Sequence, residues 1–332
     1  MPEIRQSIAT REWVIIATER ARRPHEFCNE ASELTEQRPA RKADCPFCPG
    51  NEEAATMEML RWPAEGPWSL RALLNKYPAL DKEGKRVRCF DGIHRCMTGV
   101  GRHEVIVESP VHNTCLALLD SAAVTQTLVA CQARGQAFAR DPRIEHIVYF
   151  ENHGLSAGTS VEHPHAQLLG LPLVPYDVRN RIEEAGRYFD DTGNCVYCDI
   201  WQAESAEGTR MIASNELFVA FVPYAALSPF HTWIVPRMHR PSFLSAEPDE
   251  LVALGQILRD VLHRIYAGLH DPDYNFIIRS APLQRSERDY LHWYLSIIPR
   301  VNETAGFEMG SGMFINTGLP EESALFLRSI DH

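Results

Sequence analysis

Two stretches of this chain set out thiols and imidazoles in the same order. Cys45-Pro46-Phe47-Cys48 is followed by His112 and then by His163-Pro164-His165-Ala166-Gln167; Cys195-Val196-Tyr197-Cys198 is followed by His239 and then by His292-Trp293-Tyr294. Zinc takes four soft or borderline ligands in a tetrahedron. Two thiolates from one knuckle plus two imidazoles from distant segments therefore specify a closed structural site, once with Cys45, Cys48, His112 and His163 and again with Cys195, Cys198, His239 and His292. A lone Cys-x-x-Cys can instead be a redox pair, but that chemistry belongs to a thioredoxin-like βαβ context that neither copy shows. His94 and His103 compete with His112 as ligands by proximity in sequence. The capped helix expected after both His112 and His239 decides for His112. His165 aligns with Tyr294, so only the first copy keeps an imidazole to spare. A neutral imidazole attacks phosphorus well when its other nitrogen is held by an acceptor, and Gln167 can donate to a phosphate oxygen as charge builds there. A lone histidine is more often a satisfied core residue. Here Asn152-His153-Gly154-Leu155-Ser156-Ala157-Gly158-Thr159-Ser160 adds small residues and backbone amides of the kind that approach phosphate closely, which favours the reactive reading.

The elements that must carry these residues follow from hydrophobic periodicity. Val105-Val107 reads as a strand, Asp120 or Ser121 as the cap of a helix burying Val124, Leu128 and Phe138, and Ile147-Phe150 as a strand before the triplet. In the second half Thr232-Val235 is a strand, and Ser245 is expected to cap a helix burying Leu251, Leu254, Leu258, Leu262 and Ile265. Asn275-Ile278 and Trp293-Ile298 complete the set. The implied fold is α+β, a duplicated unit of antiparallel sheet with one long helix per half, residues 1–180 carrying the reactive imidazole and residues 181–332 the degenerate copy. The segment from Pro175 to Gly193, where turn-forming residues interrupt the apolar pattern, is the weakest boundary.

The bulk numbers bound the function. With 332 residues, 45% of them hydrophobic, the chain can bury one large core or two packed halves. Nine cysteines, an odd count, fit reduced thiols with four as metal ligands better than a secreted disulfide framework, leaving Cys28, Cys89, Cys96, Cys115 and Cys131 as buried or incidental. A formal charge of -11 argues against nucleic-acid coating. The start lacks the layout of a signal peptide and no apolar stretch is long enough to span a bilayer, so a cytoplasmic location is expected. Arg20 and Arg23 can steer an anionic nucleotide, or belong to an ordinary solvated turn.

At these residues the chain resembles the histidine-triad superfamily, and within it the branch of galactose-1-phosphate uridylyltransferase and ADP-glucose phosphorylase. The resemblance runs from Arg20-Ala21-Arg22-Arg23-Pro24 to Gly306-Phe307-Glu308-Met309-Gly310. It implies double displacement: His165 attacks the α-phosphorus of a nucleotide sugar, sugar 1-phosphate leaves, and a nucleotidyl-histidine passes its group to a second phosphate. It further implies Zn2+ at the first site and Zn2+ or Fe2+ at the second. Asn75, Asn152, Gly158, Thr159, Ser160 and Gln167 would contact nucleotide and phosphate, and Phe307 and Glu308 would contact the sugar from the partner subunit of a homodimer. Where the bacterial galactose enzyme shows Asn-Pro-His-Pro-His-Gly-Gln, this chain has Val161-Glu162-His163-Pro164-His165-Ala166-Gln167, and Asn302 stands where that enzyme has a lysine. Its second metal set resembles the plant form. Transfer of UMP between hexose 1-phosphates is the leading expectation. Phosphorolysis with inorganic phosphate or sulfate as acceptor is the alternative, and a non-catalytic zinc-stabilised interaction module is the reading from another class.

Overall fold

A computed structural model describes residues 2–17, 24–27, 33–54, 56–285 and 288–331. The first half supplies β1 (Glu3–Gln6), β2 (Trp13–Ile16), β3 (Glu58–Trp62), β4 (Leu70–Leu74), β5 (Arg88–Asp91), β6 (His94–Met97), β7 (Arg102–Val107), α1 (Ser121–Ala139), β8 (His146–His153) and β9 (His165–Leu171). Then follow α2 (Tyr176–Thr192), α3 (Val196–Glu207), β10 (Met211–Ser214), β11 (Phe218–Phe221), β12 (Thr232–Pro236), α4 (Pro248–Leu269), β13 (Tyr274–Arg279), β14 (Tyr294–Pro299), α5 (Gly306–Ser311), β15 (Phe314–Asn316) and α6 (Pro320–Arg328). Among the described residues no helix is long and apolar enough to cross a membrane.

One ten-stranded sheet joins both halves in the order β10-β11-β12-β14-β13-β8-β9-β7-β4-β3, with every named pairing antiparallel. The order reads as a palindrome about the β13-β8 seam, so β8, β9 and β7 correspond to β13, β14 and β12. Registers agree: Val105 faces Gln167 and Ile106 faces Ala166, as Trp233 faces Ser296 and Ile234 faces Leu295. Strand alternation sends Ala166, Leu168, Ile147 and Tyr149 to one face, where they join the core under α1 and α4, and leaves His165 and Gln167 on the other. The two long helices pack against each other closely. A Cβ at Gly255 would lie 2.1 Å from Thr125 Oγ1 and 3.0 Å from the Thr125 backbone nitrogen, so glycine is what permits that approach.

The expected strands and helices are present, with two differences. Asp120 caps α1 as expected, accepting from the Ala123 N–H, but α4 starts at Glu247-Pro248 rather than at Ser245. Pro248 occupies the first helical turn and Glu250 folds back to the Glu247 N–H, which outcompetes the serine two residues upstream. The segment from Pro175 to Gly193 is helical rather than irregular: those two residues bound the amphipathic helix α2, which runs through positions 180 and 181 and buries Ile182 and Ala185. A helix was hidden there because its polar face dominates the composition. Cys89 and Cys96 are exposed and face each other across the β5-β6 hairpin, while Cys115 and Cys131 are buried; Cys28 lies outside the described residues.

Candidate functional site

The knuckle at Cys45–Cys48 is closed by backbone hydrogen bonds from Cys48 N–H to Cys45 O and from Cys45 N–H to Lys42 O, and the Asn51 amide braces it on Cys45 O. His112 and His163 reach it from the two loops flanking β7 and β9. The thiol and imidazole atoms stand 3.7 Å (Cys45 Sγ to His163 Nδ1), 3.5 Å (Cys48 Sγ to His112 Nδ1) and 3.6 Å (Cys48 Sγ to His163 Nδ1) apart. With zinc-ligand bonds of about 2.0–2.3 Å, the sulfur-nitrogen edge of a tetrahedron is about 3.6 Å, so these spacings fit the edges of a tetrahedral metal site. His163 Nε2–H donates to Ser109 O at 2.7 Å, which leaves Nδ1 unprotonated and aimed at the sulfurs. The second quartet repeats this. Cys198 Sγ lies 3.4 Å from both His239 Nδ1 and His292 Nδ1, and His292 Nε2–H donates to Pro236 O at 3.0 Å. Each quartet has all its ligand atoms within 4.8 Å of one another and can hold a metal ion. His94 and His103, the competing histidines, belong to neither.

His165 opens β9 two residues after the metal-facing His163. Its ring is buried, and its Nδ1–H donates to the His163 carbonyl at 2.8 Å, so the lone pair sits on Nε2. Burial lowers its pKa, partly offset by that hydrogen bond, and keeps the imidazole neutral. Phe47 of the knuckle packs beside it with ring centres 5.4 Å apart. The ring faces a cavity of about 270 Å3 shared with Arg38, Asn152, Gly154, Thr159 and Asp273.

The loop after β8 is tied down from below. Ser156 N–H and Oγ–H both donate to Asp273 Oδ2 at 2.6 Å, and Gly154 (φ +84°) passes so close that a Cβ would fall 1.6 Å from Asp273 Oδ1. Asn275 on β13 donates to Asn152 Oδ1 (2.8 Å) and to Ala157 O (2.9 Å), fixing the Asn152 amide with its NH2 end turned away from that bond. Gly158 also has positive φ (+91°), Thr159 is buried and Ser160 is exposed. Gln167 lies one strand step from His165 on the same face. Its partner is His103: the Ala79 N–H donates to His103 Nδ1 (3.2 Å), so His103 Nε2–H donates to Gln167 Oε1 (3.0 Å) and leaves the Gln167 NH2 group available. Asn75 Nδ2 stands 3.2 Å from the same His103 Nε2.

The structure thus gathers His165, Asn152 and Thr159 around one cavity, with Gly158 next to Thr159 in the same loop and with Gln167 and Asn75 linked to each other through His103. Phe307 is exposed and Glu308 half-buried on α5, against β15 in the small β1-β2-β15 sheet, and a single chain does not bring them to His165. Arg20 and Arg23 lie outside the described residues. Sequence reasoning missed Arg38, His103, Asn275 and Asp273 as parts of the site. For His103 a signal existed, since it alternates with Val105 and Val107 on the face that carries His165; Arg38 sits in irregular chain with no pattern to betray it.

This arrangement has relatives. The family described as galactose-1-phosphate uridyl transferase, N-terminal domain, matches residues 1–175, and the chain belongs to that family. Over 99% of its length it is 36% identical to 93% of the ADP-glucose phosphorylase of Arabidopsis thaliana. Over its whole length it is 26% identical to 99% of the galactose-1-phosphate uridylyltransferase of Thermotoga maritima. The crystal structure of the Arabidopsis ADP-glucose phosphorylase with bound ADP-glucose superimposes with a TM-score of 0.84 at 32% identity, covering 100% of this chain and 99% of that one. The protein is accordingly an enzyme of this family, whose members are named for reactions of nucleotide sugars and sugar phosphates.

Proposed function

We propose that this protein transfers a nucleoside monophosphate from a nucleotide sugar through a covalent nucleotidyl-His165. His165 Nε2 forms the new N–P bond to the α-phosphorus as the bond from that phosphorus to the bridging oxygen breaks, releasing sugar 1-phosphate with the electron pair. An acceptor phosphate oxygen then attacks the same phosphorus and restores the neutral imidazole. Gln167, oriented by His103, donates its amide N–H to a non-bridging oxygen as negative charge builds, and the Asn152 amide and the loop at Gly158–Ser160 hold the phosphates. The first quartet, as Zn2+ ligands, supplies no reacting atom; when loaded it fixes His163 and hence the carbonyl that orients His165. The second quartet, as ligands of Zn2+ or Fe2+, braces the degenerate half. The observation that carries the reading is the Nδ1–H bond of His165 to the His163 carbonyl, which points a neutral lone pair into a cavity of about 270 Å3.

The identity of nucleotide and acceptor is finer. ADP-glucose with inorganic phosphate is favoured by the 36% identity to a phosphorylase across nearly both whole chains. Transfer of UMP from UDP-glucose to a hexose 1-phosphate is the second reading, supported by the family match and by the Thermotoga relative. Turnover of ADP- and UDP-sugars, each with phosphate and with hexose 1-phosphate, separates them; no transfer with any pair overturns both. The exposed Phe307, at 43% of its full accessibility, and the neighbouring Glu308 fit contact with the sugar in a partner subunit's site, so we place the enzyme as a homodimer, with the division at 180/181 separating its two metal-bearing units. The unpaired cysteines and thiol-rich metal sites suit the reducing cytoplasm.

A further inference from the structure

The degenerate half keeps the frame of the site but exchanges its contents. At the β13-β14 pairing Arg279 stands opposite Tyr294, the register position that Asn152 holds relative to His165, one pair beyond Glu151 and Ala166. A second arginine, Arg181, comes down from α2. Both line a cavity of about 80 Å3 together with His146, Tyr197, Ser280 and Tyr294, and both also border a smaller one of about 30 Å3 on the side of Glu12 and His231. Among the described residues neither guanidinium has an ion-pair or hydrogen-bond partner, although both are largely enclosed. Glu12 and Asp177 are the carboxylates whose charge Arg181 feels, and both stand beyond ion-pair distance. Burial first, and then the adjacent Arg181, pull the Arg279 pKa down to about 10, partly offset by Tyr294, Tyr197 and Glu12. A third group is unsatisfied as well. His146 is 5% exposed, lines the larger cavity, and its Nδ1 has no hydrogen-bond partner among the described residues.

From these residues we propose that the degenerate half is an anion-binding site for a single phosphate group, either inorganic phosphate or the head of a small phosphomonoester, held between the forks of Arg181 and Arg279. Two half-buried, unpaired guanidiniums on the wall of one cavity match the bidentate geometry of a tetrahedral oxyanion. The tyrosine hydroxyls of Tyr197 and Tyr294, whose rings lie 5.1 Å apart, add neutral donors that favour an anion. The cavity of about 80 Å3 has room for one tetrahedral oxyanion. The site is distinct from His165, lying across the β13-β8 seam and beside His292 of the second quartet.

The test uses the metal-loaded full chain. Its melting temperature is followed as inorganic phosphate is raised to 20 mM against sodium chloride of equal ionic strength. The expected outcome is a rise of about 3–5 °C, from preferential binding to the folded state, that persists in Gln167→Ala and falls by more than half in Arg181→Met and in Arg279→Met. Should Arg279→Met fail to fold, Arg279→Lys keeps the charge and loses the fork, and the phosphate concentration giving half the rise should increase at least about tenfold. Crystals soaked in tungstate should show its anomalous peak between the two guanidiniums. No rise over chloride, a full rise retained in both arginine variants, or tungstate bound elsewhere only would overturn the proposal. Glucose 1-phosphate in place of inorganic phosphate distinguishes a phosphomonoester occupant by the lower concentration it requires.

Discussion

The two halves are built on one strand plan and differ in what they leave open. In each, a histidine one strand away from the triplet strand receives a backbone N–H on Nδ1 and sets its Nε2 against the second residue after the key position: Ala79, His103 and Gln167 in the first half, Leu227, His231 and Ser296 in the second, where the Trp233 indole N–H also points at His231 Nε2. At the key position itself the first half has His165 over a cavity. The second has Tyr294 stacked into an aromatic group, 4.5 Å from the Trp233 ring and 5.1 Å from Tyr197, under the cover of α2. The metal quartets are alike in both. The halves therefore share a frame able to hold metal and differ in whether the key position opens on a cavity beside a small-residue loop or is packed among aromatic rings.

The sharpest way to break the comparison is to exchange the key positions. His165→Ala should abolish covalent labelling by nucleotide sugar and lower turnover on the order of 10⁴-fold, while Tyr294→Phe should change turnover by no more than about threefold. Equal losses would mean that the second half takes part in the chemistry. Next in size is the metal. Ligation requires deprotonated thiols and neutral imidazoles, so Cys45→Ser and Cys195→Ser should each lower the melting temperature by about 5–10 °C, a few kcal/mol. Only Cys45→Ser should also lower kcat in protein that remains folded at the assay temperature, measured by circular dichroism beside the assay. A milder separation concerns the paired histidines. His103→Phe frees Gln167 from its orienting bond and should lower kcat by about 10–100-fold with KM changed far less, while His231→Phe should leave kcat within about threefold.

Much of this contrast was legible in the sequence because ligand chemistry is local and repeated. Two Cys-x-x-Cys knuckles with histidines in matching order announce both quartets, and His165 stands out because its counterpart is Tyr294. The apolar runs Val105-Val107 and Ile147-Phe150 marked two of the strands that carry the site. What stayed hidden depends on contacts between distant segments. Asn275 orients Asn152 only because β13 pairs with β8 across the seam, and Arg181 meets Arg279 only because α2, whose polar face disguised it as a boundary, folds over the second half. The start of α4 was misjudged for a local reason: Pro248 and Glu250 make a stronger start signal than the serine that precedes them.

The smallest effect is a pair of opposite pH slopes. Burial lowers the His231 pKa to about 3, and it raises that of Glu151, which lines the His165 cavity and whose Oε1 accepts from Tyr274 at 3.1 Å, to about 7. For His231 the unfolded chain binds the extra proton between its ordinary value near 6.5 and the folded value, so this residue's stabilisation is complete above about pH 6.5 and is lost as pH falls. For Glu151 the folded chain holds the proton that the unfolded chain releases, so its contribution is complete below about pH 4.5 and is lost as pH rises toward 7. In the wild type the two trends oppose each other between about pH 4.5 and 6.5 and flatten the profile. Substitution separates them. The stability deficit of His231→Gln relative to wild type should shrink as pH falls below 6.5, and that of Glu151→Gln should shrink as pH rises from 4.5, each by at most about 1.4 kcal/mol per pH unit in urea titrations. Parallel slopes in the two variants would show that the halves do not store protonation energy in opposite senses, and would leave the aromatic filling of the second half as a difference of packing alone.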